Sequence, residues 1–410
     1  MKKVLSIINY QRMLIQKFKN VLPAIKHQRF SRKQFKNVNK KIINKDNVKV
    51  GIIAQMPEVW DKLELIYEEM INRDNFNVSL IVVPEYDFVR KQVKNTYGKE
   101  LAFFKTVSDN CILAFSDNGW IDLKEFNYDF IFYQRPYDWY LPQKLQSDYV
   151  SKFSKICYVP YAEFQGNDFS LSLPFFYNVS YAFMYSKEAC DILRSKSRRR
   201  LLSKYQFFYD AYPIYEKYQN MNNEKNNSKV KILWTPRWVT DEASYECHFF
   251  DYKDRILDLN IKFENLEVVF RPHPLAFDNY ISTGQMTREE VNDYKNKLKQ
   301  KNVFLDENAI IEDTFRDTDI LISDISSIVT LFYLTGKPVI FCASKRTMND
   351  TFKQIVDSLY YATSWQEVES YLTEIINNND YMYQKRIDLR NKLFNKQNNV
   401  AKYIVDILCK

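Results

Sequence analysis

Residues 319–341 read DILISDISSIVTLFYLTGKPVIF. The first four, Asp319 to Ile322, make a short strand too apolar for anything but burial, and Ser323-Asp324 closes it. Ser326 and Ser327 then open a helix that is apolar on every side, which predicts a helix buried all round. Gly336 stands where a helix stops, and Lys337-Pro338 restarts the chain as a second strand, Pro338–Phe341. The stretch is therefore a β-α-β unit whose first turn ends at a helix N-terminus carrying two hydroxyls. Unpaired backbone N–H groups and the helix dipole at such a point favour an anion. Two readings stand side by side: a diphosphate cradle without a glycine-rich loop, or ordinary capping by Asp324 or Ser326.

Upstream, a strand at Glu267–Phe270 runs into Arg271-Pro272-His273-Pro274. The prolines fix the backbone and aim two donors: a planar guanidinium suited to phosphate oxygens, and an imidazole that can donate to phosphate or shuttle a proton. A strand at Val230–Trp234 leads into Thr235-Pro236-Arg237-Trp238, where Arg237 and Thr235 either complete an anion site or form a turn with Arg237 stacked on a tryptophan. A charged helix is expected around Arg288–Gln300, and 365–408 reads as helical. The amino-terminal half repeats the alternation. Strands are expected at Val48–Ala54, Val78–Val83, Cys111–Phe115, Phe130–Tyr133 and Ile156–Val159. A helix begins after Pro57, with Val59, Trp60, Leu63, Ile66, Tyr67 and Met70 on one stripe. Strands alternating with helices predict mainly parallel sheets covered on both faces, and ligands outside the strands' carboxyl ends.

The chain has 410 residues, room for two domains, which divide at the polar stretch 221–228 (MNNEKNNS). Expected domains are 48–220 and 229–410, after an arm of residues 1–47. The net charge of +8 is unevenly held: residues 1–49 carry fourteen Lys/Arg against Asp46 alone, so that segment is +13 and the remainder −5. Within the arm, Val4, Ile7, Ile8, Ile15, Phe18, Leu22 and Ile25 recur at mostly helical spacing with lysines off the stripe, a basic amphipathic helix. Such a helix adsorbs to an anionic membrane surface or packs on the body with its charges solvated. No apolar run reaches the roughly 18 residues of a membrane span, and no signal-peptide pattern appears. Six scattered cysteines predict reduced thiols in a reducing compartment. Three dispersed histidines and no Cys-x-x-Cys give no zinc pattern, and no Walker loop or Gly-x-Gly-x-x-Gly is present. No bound metal is expected beyond Mg²⁺ held loosely with a nucleotide. An acidic body without a nucleic-acid module argues against a nucleic-acid partner.

Arg271-Pro272-His273-Pro274, Ser323-Asp324-Ile325-Ser326-Ser327 and Lys337-Pro338, in this order, resemble the carboxyl-terminal half of the CDP-glycerol glycerophosphotransferase family, the teichoic acid primases and polymerases. The resemblance is concentrated in 230–345. It implies a GT-B fold, two Rossmann-like domains facing across a cleft, here with a basic helical N-terminal arm. It implies a CDP-alditol donor attacked at its β-phosphorus, CMP as leaving group, and an anionic polymer or lipid-linked acceptor at the inner membrane face. Arg271, His273, Ser326 and Ser327 would hold the donor diphosphate, with Asp324, Arg237 and Thr235 beside them. Family polymerases carry a His-Gly pair in the amino-terminal domain as the base, but no histidine lies between His27 and His248 here. Glu163 and Asp138 are the carboxylate candidates for that role, beside His273. The departure suggests a divergent subfamily acting in capsule or other wall-polymer synthesis. The alternative is a GT-B glycosyltransferase using a nucleotide sugar at the same cradle.

Overall fold

The structure, a computed structural model, describes residues 43–87, 90–94, 98–163, 174–196, 206–221, 229–238, 247–308, 310–342, 348–394 and 398–410, with 37, 38, 40 and 344 besides. The expected helix at 4–25 and the stretch 222–228 lie outside the described residues. Those within 1–160, 169–211 and 401–410 form one compact unit; those within 161–168 and 212–400 form the other.

The first unit is built on seven strands: β1 (Val48–Ala54), β2 (Phe76–Val82), β3 (Cys111–Leu113), β4 (Phe130–Tyr133), β5 (Lys155–Tyr158), β6 (Val179–Phe183) and β7 (Gln206–Phe208). Their order is β7-β6-β5-β4-β1-β2-β3, and every pair is parallel. Central β1 pairs Val48 with Phe76 on one side and Val50 with Phe130 on the other. Both faces of its apolar stretch are covered, which is why it reads as a continuous run rather than an alternation. After it, Pro57 opens a short 3-10 turn, and α1 (Asp61–Ile71) buries Leu63, Ile66, Tyr67 and Met70 beside Trp60. The apolar run expected as one strand over 111–115 divides. Cys111–Leu113 joins the sheet, whereas Phe115–Ser116 folds back on Gly119–Trp120 through a turn in which Gly119 adopts φ 86°.

The second unit holds β8 (Val230–Thr235), β9 (Leu266–Phe270), β10 (Val303–Leu305), β11 (Ile320–Ser323), β12 (Val339–Cys342) and β13 (Tyr360–Ala362). All pairs are parallel, in the order β10-β9-β8-β11-β12-β13. Counted within the unit this is 3-2-1-4-5-6, the doubly wound arrangement, with its reversal between β8 and β11. The helices that matter here are α2 (Phe249–Ile256), α3 (Arg288–Gln300), α4 (Ser327–Leu334), α5 (Trp365–Ile376) and α6 (Tyr383–Leu393). α3 begins at a capping box, Thr287 accepting from the Glu290 N–H while the Glu290 carboxylate accepts from the Thr287 N–H. Val329 to Leu334 of α4 are all buried, as the all-round apolar pattern requires. Gly336 follows at φ 78°. The Lys337 ammonium donates to the carbonyls of Phe315 (3.0 Å) and Arg316 (2.8 Å), tying the restart of the chain to the end of helix Glu312–Asp317.

The second unit differs at both ends from the expected span 229–410. Helix Pro213–Gln219 already belongs to it: Tyr218 packs on Phe315 at 5.3 Å and Lys217 pairs with Glu312. The last helix, α7 (Val400–Leu408), lies with the first unit instead, through an Arg73–Asp406 ion pair of 2.7 Å and Tyr403 against Phe208. An amphipathic helix announces one buried face, here Ile404, Val405 and Leu408, but not which apolar surface will cover it.

Candidate functional site

In a doubly wound sheet the strand-order reversal opens a crevice at the carboxyl ends, because the flanking connections leave in opposite directions. Here that point lies between β8 and β11. Their last residues, Thr235 and Ser323, are register partners, and Phe270, which ends β9, stands beside Trp234. The three sequence elements singled out above are therefore the connections leaving three adjacent strands.

The β11 connection supplies the cradle. Ser326 is the N-cap of α4 in extended conformation, φ −159° and ψ 162°, and both Ser326 and Ser327 keep partial exposure. Helices α1, α2, α3 and α5 each carry an acid in the first turn; α4 carries none, as is also true of α6 and α7. An N-terminus at a strand-order reversal, with hydroxyls and no acid in its first turn, is suited to receive an anion.

The β8 connection is tied to it through Asp324. This carboxylate is 2% exposed and accepts from the Arg237 N–H (2.7 Å), the His248 N–H (3.0 Å) and His248 Nδ1 (2.6 Å). The Arg237 guanidinium also donates to the Ile325 carbonyl at 3.2 Å, which sets a cation beside the turn that leads into α4. Trp238 stacks on His273.

On the β9 connection, Arg271 donates to Asp306 (2.6 Å) and to the Asn308 carbonyl (2.8 Å), which fixes its guanidinium within the unit. Asp306, 1% exposed, is further held by Thr314 Oγ1 at 2.6 Å. His273 is exposed, its ring stacked on Trp238 at 4.8 Å, and its Nδ1 accepts the Leu275 N–H at 3.2 Å. Surrounding protein and then the Arg237 charge push its pKa down to about 4. At pH 7 the ring is neutral with its proton on Nε2. It suits donation to a phosphate oxygen and is poorly suited to accepting a proton.

That shift has a measurable consequence. The unfolded imidazole titrates near the ordinary 6.5, the folded one near 4, so between these values the unfolded chain binds more protons. This site's contribution to stability is complete above about 6.5 and is lost as pH falls towards 4. Wild type is expected to lose more melting temperature between pH 7.5 and 5 than His273→Gln does, in a pH series on both proteins.

Four expected site residues have surroundings that the sequence did not show. Thr235 is 4% exposed and donates to Ser323 Oγ at 2.8 Å, a cross-strand bond that locks the two strand ends and commits its hydroxyl proton. Asp324 is buried and its oxygens are taken up by the Arg237 and His248 groups, so it holds the turn and the Arg237 loop in place rather than presenting an oxygen to a ligand. Asp138, in the first unit, accepts from the Ser147 N–H (2.7 Å) and Ser147 Oγ (2.6 Å), so both carboxylate oxygens organise the start of helix Ser147–Val150 rather than face a hydroxyl. Glu163 is 7% exposed, which leaves little of it to meet a polymer. His248 was missed: it sits in no motif, and only the fold brings it to Asp324, 76 residues away.

Among the described residues, one grouping has metal-like proximity: His248, Asp324 and Cys342. The 2.6 Å between Nδ1 and the carboxylate is a proton-sharing contact, tighter than the ~3.3 Å edge of a tetrahedral site with ~2 Å bonds. Burial, then the Asp324 charge, hold the Cys342 thiol well above its ordinary pKa. Within the grouping the hydrogen bond runs between His248 and Asp324, with the Cys342 thiol close by.

A sequence model of the family described as CDP-glycerol:poly(glycerophosphate) glycerophosphotransferase matches residues 200–410, half the chain and all of the site just described. The chain belongs to that family. It is a transferase of the CDP-glycerol type. Among solved structures, the wall teichoic acid polymerase TagF aligns over 96% of this chain and 97% of its own, at 14% identity and TM-score 0.51. UDP-GlcNAc 2-epimerase from Neisseria meningitidis, bound to UDP-GlcNAc, aligns over 88% and 99% at 14% identity and TM-score 0.54. At such identities the likeness shows the fold: GT-B, with two Rossmann-like domains. No curated protein matches this family member. No helix among the described residues is long and apolar enough to cross a membrane.

Proposed function

We propose that this transferase moves glycerol phosphate, or a similar alditol phosphate, from a CDP-activated donor to a cell-surface polymer or lipid-linked acceptor and releases CMP. One observation carries the reading: Arg237, the Arg271–His273 connection and the acid-free N-terminus of α4 leave adjacent strands at the reversal of the second sheet. Cationic and neutral N–H donors directed at a diphosphate are what phosphoryl transfer requires, since positioning and charge neutralisation supply most of its catalysis. No resident metal belongs to the proposal, and Mg²⁺ enters only as a loosely held companion of the nucleotide. The +13 segment at residues 1–49 supports a location at the inner face of an anionic membrane, where an anionic acceptor would also be found.

The test is CMP release from CDP-glycerol and CDP-ribitol, with and without a membrane fraction as acceptor. Release that requires acceptor is expected with one of them. No turnover with either sinks the alditol reading. Stronger thermal stabilisation by UDP or GDP than by CDP would point to a nucleotide-sugar glycosyltransferase.

A further inference from the structure

The two histidines of the second unit are fixed in opposite senses. His273 accepts at Nδ1, so its Nε2 carries the proton. His248 shares a proton with Asp324 at Nδ1, so in the neutral ring that proton stays on Nδ1 and Nε2 is the basic nitrogen. We propose that His248, oriented by Asp324, is the general base that takes the proton from the attacking hydroxyl of the acceptor. This rests on the transferase reading above.

Three features support the assignment. First, the ring is pinned. Asp324 holds both the backbone N–H (3.0 Å) and Nδ1 (2.6 Å) of His248, and Tyr252 stacks on a face of the ring at 5.1 Å and 23°. A base held by a carboxylate in one tautomer and one orientation is the arrangement that nucleophile activation needs. Second, burial is graded outward: Asp324 is 2% exposed and the His248 side chain 17%. Third, one carboxylate serves both tasks. Asp324 also fixes Arg237, and two residues further on the same turn becomes the Ser326–Ser327 cradle. Base and phosphate donors are thereby set on a single buried anchor.

The groups placed against the ring are Asp324 from the β11 turn, Cys342 at the end of β12 and Tyr252 from α2, with Cys247 preceding it in the chain. Burial holds Cys342, Cys247 and Tyr252 above their ordinary pKa values, so these three stay neutral. The buried Asp324 carboxylate is the charge in direct contact, and it favours the imidazolium formed in the reaction.

In the step itself, the acceptor oxygen forms a bond to the β-phosphorus, and the bond from that phosphorus to the CMP oxygen breaks. The electron pair leaves with CMP. The hydroxyl proton goes to His248 Nε2 and then to water.

His248→Asn is the discriminating variant, because the asparagine amide can keep the hydrogen bond to Asp324 while nothing replaces Nε2. Its kcat is expected to fall roughly 10²–10⁴-fold with loss of the acid limb of the pH–rate profile, and its CDP affinity to stay within about threefold. A kcat within about threefold of wild type overturns the proposal. The second readout needs no turnover. With only three histidines in the chain, ¹H–¹⁵N spectra of the full-length protein resolve each ring. His248 is expected as the Nδ1–H tautomer and His273 as the Nε2–H tautomer, and Asp324→Asn should disturb the first alone. An Nε2–H tautomer at His248, or stoichiometric zinc lost in Cys342→Ser, overturns the assignment. If no CDP-alditol turns over while the spectra are as expected, the donor reading has failed, and His248 is left as a structural pair with Asp324.

Discussion

Ser327→Asp is expected to keep or slightly raise stability while weakening donor binding about 100-fold. The two effects share one cause and have opposite signs. Ser327 is the first residue of α4, a helix whose first turn contains no acid. A carboxylate there complements the dipole and is worth about 0.3–1 kcal/mol to the helix. The same carboxylate would stand where the donor diphosphate is proposed to sit. Two like charges about 4 Å apart repel by up to ~4 kcal/mol at an effective dielectric of ~20, so a 100-fold loss is the conservative end. Ser327→Ala removes one hydroxyl donor without adding charge and is expected to cost about tenfold or less. Calorimetric titration with CDP and a thermal melt on each variant separate the outcomes. Binding of Ser327→Asp within threefold of wild type would mean that the anion does not lie at this helix.

Why that helix could be read from sequence, and its surroundings only in part, follows from the range of the interactions. Parallel strands buried on both faces appear as apolar runs, so β1, β4, β8 and β11 were found to within a residue or two. The turns after β8, β9 and β11 were found because proline, glycine and paired serines leave local marks. What those side chains touch is set by the sheet order, which no local pattern carries. Thr235 reads as a ligand donor until β8 and β11 are neighbours; then its hydroxyl belongs to Ser323, 88 residues away. Asp324 reads as a cap or an anion-site residue until the chain returns with His248. Asp138 reads as a base until Ser147 lies beside it. Polar residues with long-range partners look the same, in sequence, as polar residues waiting for a ligand.

The far end of α4 is held by an interaction of the same long-range kind, and its removal should give the largest stability loss in the second unit. Arg386 is fully buried. It donates through Nε to the Gly336 carbonyl at 2.9 Å and through both Nη atoms to Asp380, and its own carbonyl accepts from Tyr333 Oη at 3.1 Å. Gly336 has φ 78°, and a Cβ there would lie 2.9 Å from both Arg390 Nη1 and Ile387 Cδ1, so α6 packs directly over the helix stop. Arg390 adds a bond to the Leu334 carbonyl at 3.1 Å. Together these replace the partners that the last carbonyls of α4 lack. Arg386→Met fills similar space but leaves Asp380 with Tyr360 Oη and without its counter-charge, and strands the Gly336 carbonyl. A loss of about 3 kcal/mol is expected, or roughly 6–12 °C in melting temperature. Adding Asp380→Leu should recover part of it, since an unpaired charge costs more than an absent pair. A single variant within 1 kcal/mol of wild type, or a double variant no better than the single, would show that the pair does not anchor α4. Because the cradle is the other end of this eight-residue helix, the surviving folded fraction should also bind CDP more weakly, through a displaced N-terminus rather than any lost contact with the ligand.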